Sequence, residues 1–126
     1  MKHITIVLIM AVFVLAPVTA MAVDEKDFEV KTTRELINLC TAPLEDPLHT
    51  PAVNFCHGYL VGAYHFDQAR AAVPEGHQLV CMSDPRPTRN ETIAMFIDWA
   101  KDHPQYMSEP PVETQFRFMM EKWPCN

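Results

Sequence analysis

The chain has 126 residues, with ten Lys and Arg against sixteen Asp and Glu, and its formal net charge is −6 at pH 7. A compact acidic domain is poorly matched to a phosphate backbone, so this charge excludes nucleic-acid binding as a function. The same charge suits a basic protein surface as a partner.

The first 22 residues have the pattern of a secretory signal peptide. Lys2 and His3 precede an apolar run from position 6 to 16, and Ala20-Met21-Ala22 has the small residues typical of a cleavage site. A membrane anchor is the alternative, but the run is too short to span a bilayer and Pro17 interrupts it. Cleavage after Ala22 leaves a single domain, residues 23–126, with a net charge of −7 and no membrane segment.

Two helices are predicted in the first half of this domain. Residues 23–30 are charged and are expected to be frayed. Thr32 and Glu35 then have the spacing of a capping box, which predicts a short helix that ends near Cys40. After a Pro-rich loop, Thr50 is the predicted N-cap of a second helix, with Pro51 at its first position. This helix is expected to run to about Ala72.

Two glycines, Gly58 and Gly62, lie one turn apart inside the second helix. Each costs roughly 1 kcal/mol relative to Ala in a helix interior, so they indicate close packing of a neighbouring helix or of a large side chain. The same spacing is a dimer signature of membrane helices. That alternative is discarded because the helix also carries Asp67 and Arg70.

Two more helices are predicted in the second half. Thr88 and Glu91 form a second capping box, and His103-Pro104 ends the helix that it starts. Pro110-Pro111 begins the last helix, which Pro124-Cys125 closes. The prediction is therefore an all-α, disulfide-stabilised domain of four helices, packed either orthogonally or up-and-down.

Four cysteines, Cys40, Cys56, Cys81 and Cys125, follow the predicted cleavage site. An even number in a small exported domain predicts two disulfides. An up-and-down arrangement favours Cys40–Cys56 with Cys81–Cys125. The pairing Cys40–Cys81 with Cys56–Cys125 stays open, because the loop after the first helix is long enough to turn that helix.

No catalytic or metal-binding pattern is present in the sequence. Cys56 and His57 are adjacent, but neighbours on a helix point about 100° apart, which places the imidazole poorly for activating a thiol. The histidines lack the H-x-x-x-H spacing of a metal site, and no C-x-x-C motif occurs. We therefore expect a protein that is not an enzyme and needs no metal or cofactor.

One loop has the composition of a binding surface. It consists of Gln105, Tyr106, Met107, Ser108 and Glu109, and prolines stand at both of its ends. Rigid loops that present aromatic or thioether side chains keep the entropic cost of association low. In the alternative interpretation, Tyr106 and Met107 pack into the core and close the end of the last two helices.

The sequence as a whole resembles the Rap/Tai family of periplasmic immunity proteins. The segments that carry the resemblance are Leu36-Ile37-Asn38-Leu39-Cys40, Phe55-Cys56-His57-Gly58-Tyr59-Leu60-Val61-Gly62-Ala63, Cys81, Arg86-Pro87-Thr88, Trp99-Ala100, His103-Pro104 and Trp123-Pro124-Cys125. Together they span nearly the whole domain after the predicted cleavage site.

The resemblance implies a periplasmic, non-enzymatic inhibitor. Its partner would be a peptidoglycan amidase effector of the type VI secretion system, and inhibition would occur by occlusion of the amidase active-site cleft. It further implies a possible homodimer, and a loop between the late helices, here residues 105–109, that enters the cleft. A small periplasmic chaperone of acid or envelope stress is the alternative, since such proteins are also acidic helical domains.

Overall fold

The computed structural model describes residues 22–125 of the chain. The predicted signal peptide lies outside the described residues, apart from Ala22. The predicted all-α fold is confirmed: α1 is Thr33–Cys40, α2 is His49–Ala71, α3 is Arg89–Asp102 and α4 is Pro111–Lys122. Across residues 22–125 no strand forms, and one isolated antiparallel bridge joins Val80 to Pro124.

The segment before α1 is ordered, contrary to the expectation of a frayed end. Glu25–Glu29 forms a 3-10 helix that begins with a capping box on Asp24. The Asp27 carboxylate is 7% exposed and accepts hydrogen bonds from the Asn38 side chain of α1. Buried carboxylates require such partners, and here the partner lies on α1, so the contact fastens the segment to the first helix.

Both predicted capping boxes are confirmed. The Glu35 N–H donates to the Thr32 hydroxyl and the Thr32 N–H donates to the Glu35 carboxylate, at 3.4 and 3.0 Å. Thr88 and Glu91 repeat the arrangement at the start of α3. Each box satisfies backbone donors that have no partner within the helix.

The predicted N-cap of α2, Thr50, is wrong by two residues. The helix begins at His49, with Leu48 as its N-cap and no side-chain cap. Asp46 organises the turn before it, because its carboxylate accepts from the Leu48 N–H and its carbonyl accepts from the His49 N–H. Pro51 consequently lies inside the first turn, where its missing N–H is not required.

The core is formed where all four helices meet. Its most deeply buried side chains, each exposed by 2% or less, are Leu36, Leu39, Ala52, Cys56, Val80, Phe96, Ala100 and Met119. Phe96 of α3 packs on Phe118 of α4, with ring centroids 5.8 Å apart. The amphipathic spacing of the apolar residues thus supplies a single core.

Among residues 22–125 no neighbour covers the two glycines of α2, so the close packing expected against Gly58 and Gly62 is not found in this part of the chain. A Cβ built at either position meets no atom within 4 Å, and both residues are exposed. Their spacing alone could not show whether another element fills the groove they leave.

The two disulfides join Cys40 to Cys56 and Cys81 to Cys125. This is the pairing that the up-and-down arrangement favoured. The first links the end of α1 to α2, and the second links the loop before α3 to the segment after α4. The Cys81 N–H also donates to the Trp123 carbonyl at 3.0 Å, so the carboxyl end of the chain is held by a covalent bond and by backbone bonds.

Candidate protein-binding surface

The loop between α3 and α4 is fixed by backbone hydrogen bonds to the start of α1. The Thr33 N–H donates to the Glu109 carbonyl at 2.8 Å, and the Arg34 N–H donates to the Met107 carbonyl at 3.0 Å. The first N–H groups of a helix have no intrahelical acceptor. The loop supplies those acceptors, so its own backbone is held in one conformation.

A buried pair of threonine hydroxyls reinforces this attachment. The hydroxyls of Thr33 on α1 and Thr114 on α4 are 2.7 Å apart, and both residues are fully buried. The Thr33 hydroxyl also lies 3.0 Å from the Glu109 carbonyl. Because buried hydroxyls are costly without partners, these contacts tie the loop to two helices at once.

The five predicted contact residues do not share one environment. The Met107 side chain is 8% exposed and belongs to the core, which corrects its assignment to the contact surface. Its packing follows from the 3-10 turn Pro104–Tyr106, which directs the next side chain inward. Gln105 and Ser108 are exposed, whereas Tyr106 and Glu109 are half-buried.

Tyr106 lies beside the ring of Trp99 on α3 and the ring of His103, the residue that follows α3. Its ring is nearly parallel to those of Trp99 and His103, at centroid distances of 5.8 and 5.9 Å, and these two rings stack at 3.9 Å. We name Trp99, His103 and Tyr106 the aromatic patch. All three residues are half-buried, so the patch combines ring packing with partial exposure to solvent.

Polar groups of α4 hold the aromatic patch in place. The Arg117 guanidinium lies 5.0 Å from the centroid of the Tyr106 ring, which is cation–π geometry. Its Nε donates to Glu109 Oε2 at 3.2 Å, and the Trp99 Nε1–H donates to Glu121 Oε2 at 3.2 Å. Tyr106 is therefore contacted by rings from one side and by a cation from another.

Sequence inspection missed three members of this surface, namely Trp99, His103 and Arg117. A signal for two of them was present, because His103 caps the end of α3 four residues after Trp99, a spacing that brings side chains together at the end of a helix. No local signal places Arg117 over Tyr106, since that contact depends on how α4 packs against α3.

Comparison with known families shows which protein family the chain belongs to. The family model for Rap1a immunity proteins matches residues 32–125. The chain belongs to the Rap1a immunity protein family. Comparisons with curated proteins and with solved structures give no match.

The disulfides of the chain agree with its membership of the Rap1a immunity protein family. An immunity protein binds a cognate effector, and the disulfides accord with a secreted or periplasmic location. Cys56 is consumed in a disulfide, which removes the Cys56-His57 pair as a thiol nucleophile. Among residues 22–125, no cluster of three His, Cys, Asp or Glu could hold a metal ion.

The part of the chain that the structure describes contains no helix both long and apolar enough to cross a bilayer. The longest, α2, carries the ion pair between Asp67 and Arg70 within its sequence.

Proposed function

We propose that this protein is a periplasmic immunity protein which inhibits a peptidoglycan amidase effector of the type VI secretion system. In this proposal Gln105, Ser108 and the edge of the aromatic patch enter the amidase active-site cleft and occlude it. The observation that carries the proposal is the fixed loop, whose backbone is bonded to α1 and whose Tyr106 ring is packed between α3 and α4.

A fixed loop favours inhibition because its conformational entropy is already lost on folding, before the partner binds. Each side chain immobilised on binding costs about 0.5–1.5 kcal/mol. Tyr106 and Arg117 are already held in the free protein. Tyr, Trp and Arg are also the residue types most enriched at the energetic centres of protein interfaces.

The charge around the loop supports a basic partner. Carboxylates outnumber basic groups along this part of the chain, with Asp98, Asp102, Glu109, Glu113 and Glu121 against Lys101 and Arg117. Such a surface accelerates encounter with a positively charged partner and weakens with added salt. We infer that the cleft rim of the cognate amidase is basic.

The direct experiment is a peptidoglycan hydrolysis assay with an amidase whose gene neighbours that of this protein. The mature domain is expected to abolish hydrolysis once it equals the amidase in concentration, because the cleft accepts one inhibitor. Unchanged hydrolysis with an excess of the correctly folded, oxidised domain would contradict the proposal.

Export with cleavage after Ala22 is part of the proposal, and the contacts of Val23 support it. Val23 is 9% exposed, and its backbone nitrogen donates to Asp46 Oδ2 at 2.8 Å. Cleavage would convert that nitrogen into an ammonium group, and the contact would become a charge-assisted hydrogen bond.

We therefore expect the periplasmic form to begin at Val23 by intact mass, and Asp46→Asn to lower its Tm. Glu45→Gln is the matched control, because Glu45 is the exposed neighbour of Asp46 and makes no such contact among the described residues. Equal Tm values for the two variants would contradict a role for the new amino terminus.

A homodimer is also part of the proposal, and the exposed face of α2 is the surface that favours it. Phe55, Gly58, Gly62, Phe66 and Ala69 recur at helical spacing and are all exposed, Phe66 by 72%. The charged residues of α2, Asp67 and Arg70, pair with each other at 2.7 Å. Two copies can therefore approach here without the repulsion that their net charge creates elsewhere.

In a two-fold antiparallel pair centred on Gly62, Phe66 of one copy faces Gly58 of the other. Gly62→Arg is then expected to reduce the mass measured by light scattering from dimer to monomer, whereas Gln78→Arg, an exposed position outside α2, leaves the dimer intact. A monomeric mass for the unmodified protein at high concentration would contradict this arrangement.

The acid-stress chaperone is the second candidate function, and two carboxylates bear on it. Backbone N–H groups of Val23 and then Leu48 lower the pKa of Asp46, and the side chain and then the backbone of Thr88 lower the pKa of Glu91. A lowered folded-state pKa stabilises the fold above the unfolded-state pKa, and this contribution is lost as pH falls through the folded-state pKa.

Glu91 is exposed and Asp46 is only half-buried, so we expect a partial loss of stability on acidification and no collapse of the fold. The near-UV circular dichroism at about pH 3 should match that at neutral pH, because the disulfides retain the packing. A lost near-UV signal together with suppression of client aggregation would instead favour the chaperone.

A further inference from the structure

A cavity of about 360 Å³ lies among α2, α3 and α4, apart from the loop that carries the proposed inhibition. Its wall is formed mainly by apolar side chains, namely Leu60, Ile93, Phe96, Phe118 and Met119. This volume falls within the range of natural ligand pockets, roughly 300–1,000 Å³, which are also mainly apolar with a few polar groups.

One polar side chain of the wall is incompletely satisfied. Gln115 of α4 is 4% exposed, and its Nε2 donates to the Leu60 carbonyl at 2.8 Å. Its Oε1 has no hydrogen-bond donor among the described residues. Rotating the Gln115 side-chain amide by half a turn would place Oε1 against the Leu60 carbonyl, and two acceptors would then face each other. The hydrogen bond to Leu60 therefore determines that Oε1 is the unpaired atom. Buried acceptors of this kind are rare and costly.

The rim of the cavity carries a cation, Arg89, although the protein as a whole is acidic. Arg89 and His65 both line it and are exposed. Among residues 22–125, Arg89 makes no ion pair. In a chain with a net charge of −6, a cation at the mouth of an apolar cavity favours anionic ligands over cationic ones.

From these three features we propose that the cavity binds small aromatic carboxylates whose ring system carries an N–H or O–H donor. The ring system packs against Phe96, Ile93 and Met119. Its donor bonds to Gln115 Oε1, which is unpaired and buried from solvent in the free domain, so binding requires a small movement of the side chains that cover this atom. The carboxylate remains near the mouth, beside Arg89. This proposal does not depend on the identity of the effector or on the proposed inhibition.

The test compares three probes on the oxidised mature domain by NMR titration and by thermal shift. Indole-3-acetate has the ring, the donor and the anion; benzothiophene-3-acetate has the same shape without the donor; tryptamine carries a cation in place of the anion. We expect indole-3-acetate to bind with a Kd of about 1 mM or tighter. The benzothiophene should bind about tenfold more weakly, which corresponds to roughly 1.4 kcal/mol.

Tryptamine should also bind more weakly than indole-3-acetate, and Arg89→Gln should remove that difference. Val61→Phe fills the cavity from its rim and is expected to abolish saturable binding. Asn54→Phe adds the same side chain to an exposed position of α2 outside the cavity and should leave binding unchanged. Saturable binding that survives Val61→Phe, equal affinity for indole-3-acetate and benzothiophene-3-acetate, or no saturable binding at all would each overturn the proposal.

Discussion

Tyr106→Ala should weaken binding of the cognate effector by about 2 kcal/mol or more, which is roughly thirtyfold in Kd. Tyr106 is half-buried, and its ring already contacts Trp99, His103 and Arg117. A partner that packs on it gains contact area without ordering a mobile side chain. The dissociation constant can be measured by calorimetry or surface plasmon resonance with the amidase that the protein inhibits.

The same substitution removes aromatic contacts within the free domain, so its effect on stability must be separated from its effect on binding. Aromatic pairs contribute about 0.5–1.5 kcal/mol each, and a comparable loss of unfolding free energy is expected. Tyr64→Ala is the matched control. Tyr64 is also half-buried but lies on α2, away from the loop. This control should lose stability and keep its affinity for the effector.

Tyr106→Phe extends the comparison. It retains the ring and therefore the contacts with Trp99 and Arg117, so most of the affinity should remain. If Tyr106→Ala and Tyr64→Ala reduced affinity equally, or if Tyr106→Ala changed Kd less than about threefold, the loop would not be the centre of the interface.

The starts of α1 and α3 could be predicted from sequence because helix capping is local. Thr32 with Glu35, and Thr88 with Glu91, contain within four residues both the donors and the acceptors that the helix start requires. The start of α2 could not be predicted in the same way. There the organising carboxylate, Asp46, lies three residues before the helix, while Thr50 offered a cap that the chain does not use.

The candidate site was only partly predictable because its contacts are between elements. The composition of residues 105–109 indicated a rigid loop, but two adjacent apolar side chains cannot be assigned to inside or outside from composition. Met107 faces the core, and Tyr106 faces α3. The position of Arg117 over Tyr106 and the unpaired Gln115 Oε1 both arise from helix packing, which no spacing within one helix specifies.

Removing the Cys81–Cys125 disulfide should destabilise the domain by about 4 kcal/mol, the largest stability change that we expect from the loss of one disulfide. The two cysteines are 44 residues apart, and in the chain-entropy model a longer loop closed in the unfolded state gives a larger stabilisation. The separation of 16 residues for Cys40–Cys56 corresponds to about 3 kcal/mol by the same relation. Urea unfolding of Cys81→Ala/Cys125→Ala and of Cys40→Ala/Cys56→Ala measures both values.

The two variants should also differ in where the structure loosens. Without Cys81–Cys125, the hydrogen bond from Cys81 N–H to the Trp123 carbonyl and the bridge between Val80 and Pro124 keep no covalent support. Amide exchange should therefore accelerate at position 81 while that of α1 changes little. A loss of less than about 1 kcal/mol in this variant would contradict the loop-closure account.

The same two values predict how much stability the domain loses when both disulfides are reduced. Domains of this size have total stabilities of about 5–15 kcal/mol, so the loss of both bonds is comparable to the whole. We expect the unmodified domain to unfold cooperatively in dithiothreitol at a urea concentration that the oxidised form withstands. A protein whose folding depends on its disulfides reaches its binding-competent state in an oxidising compartment. The fixed loop that supports inhibition then forms after export, in the compartment where a periplasmic amidase would act.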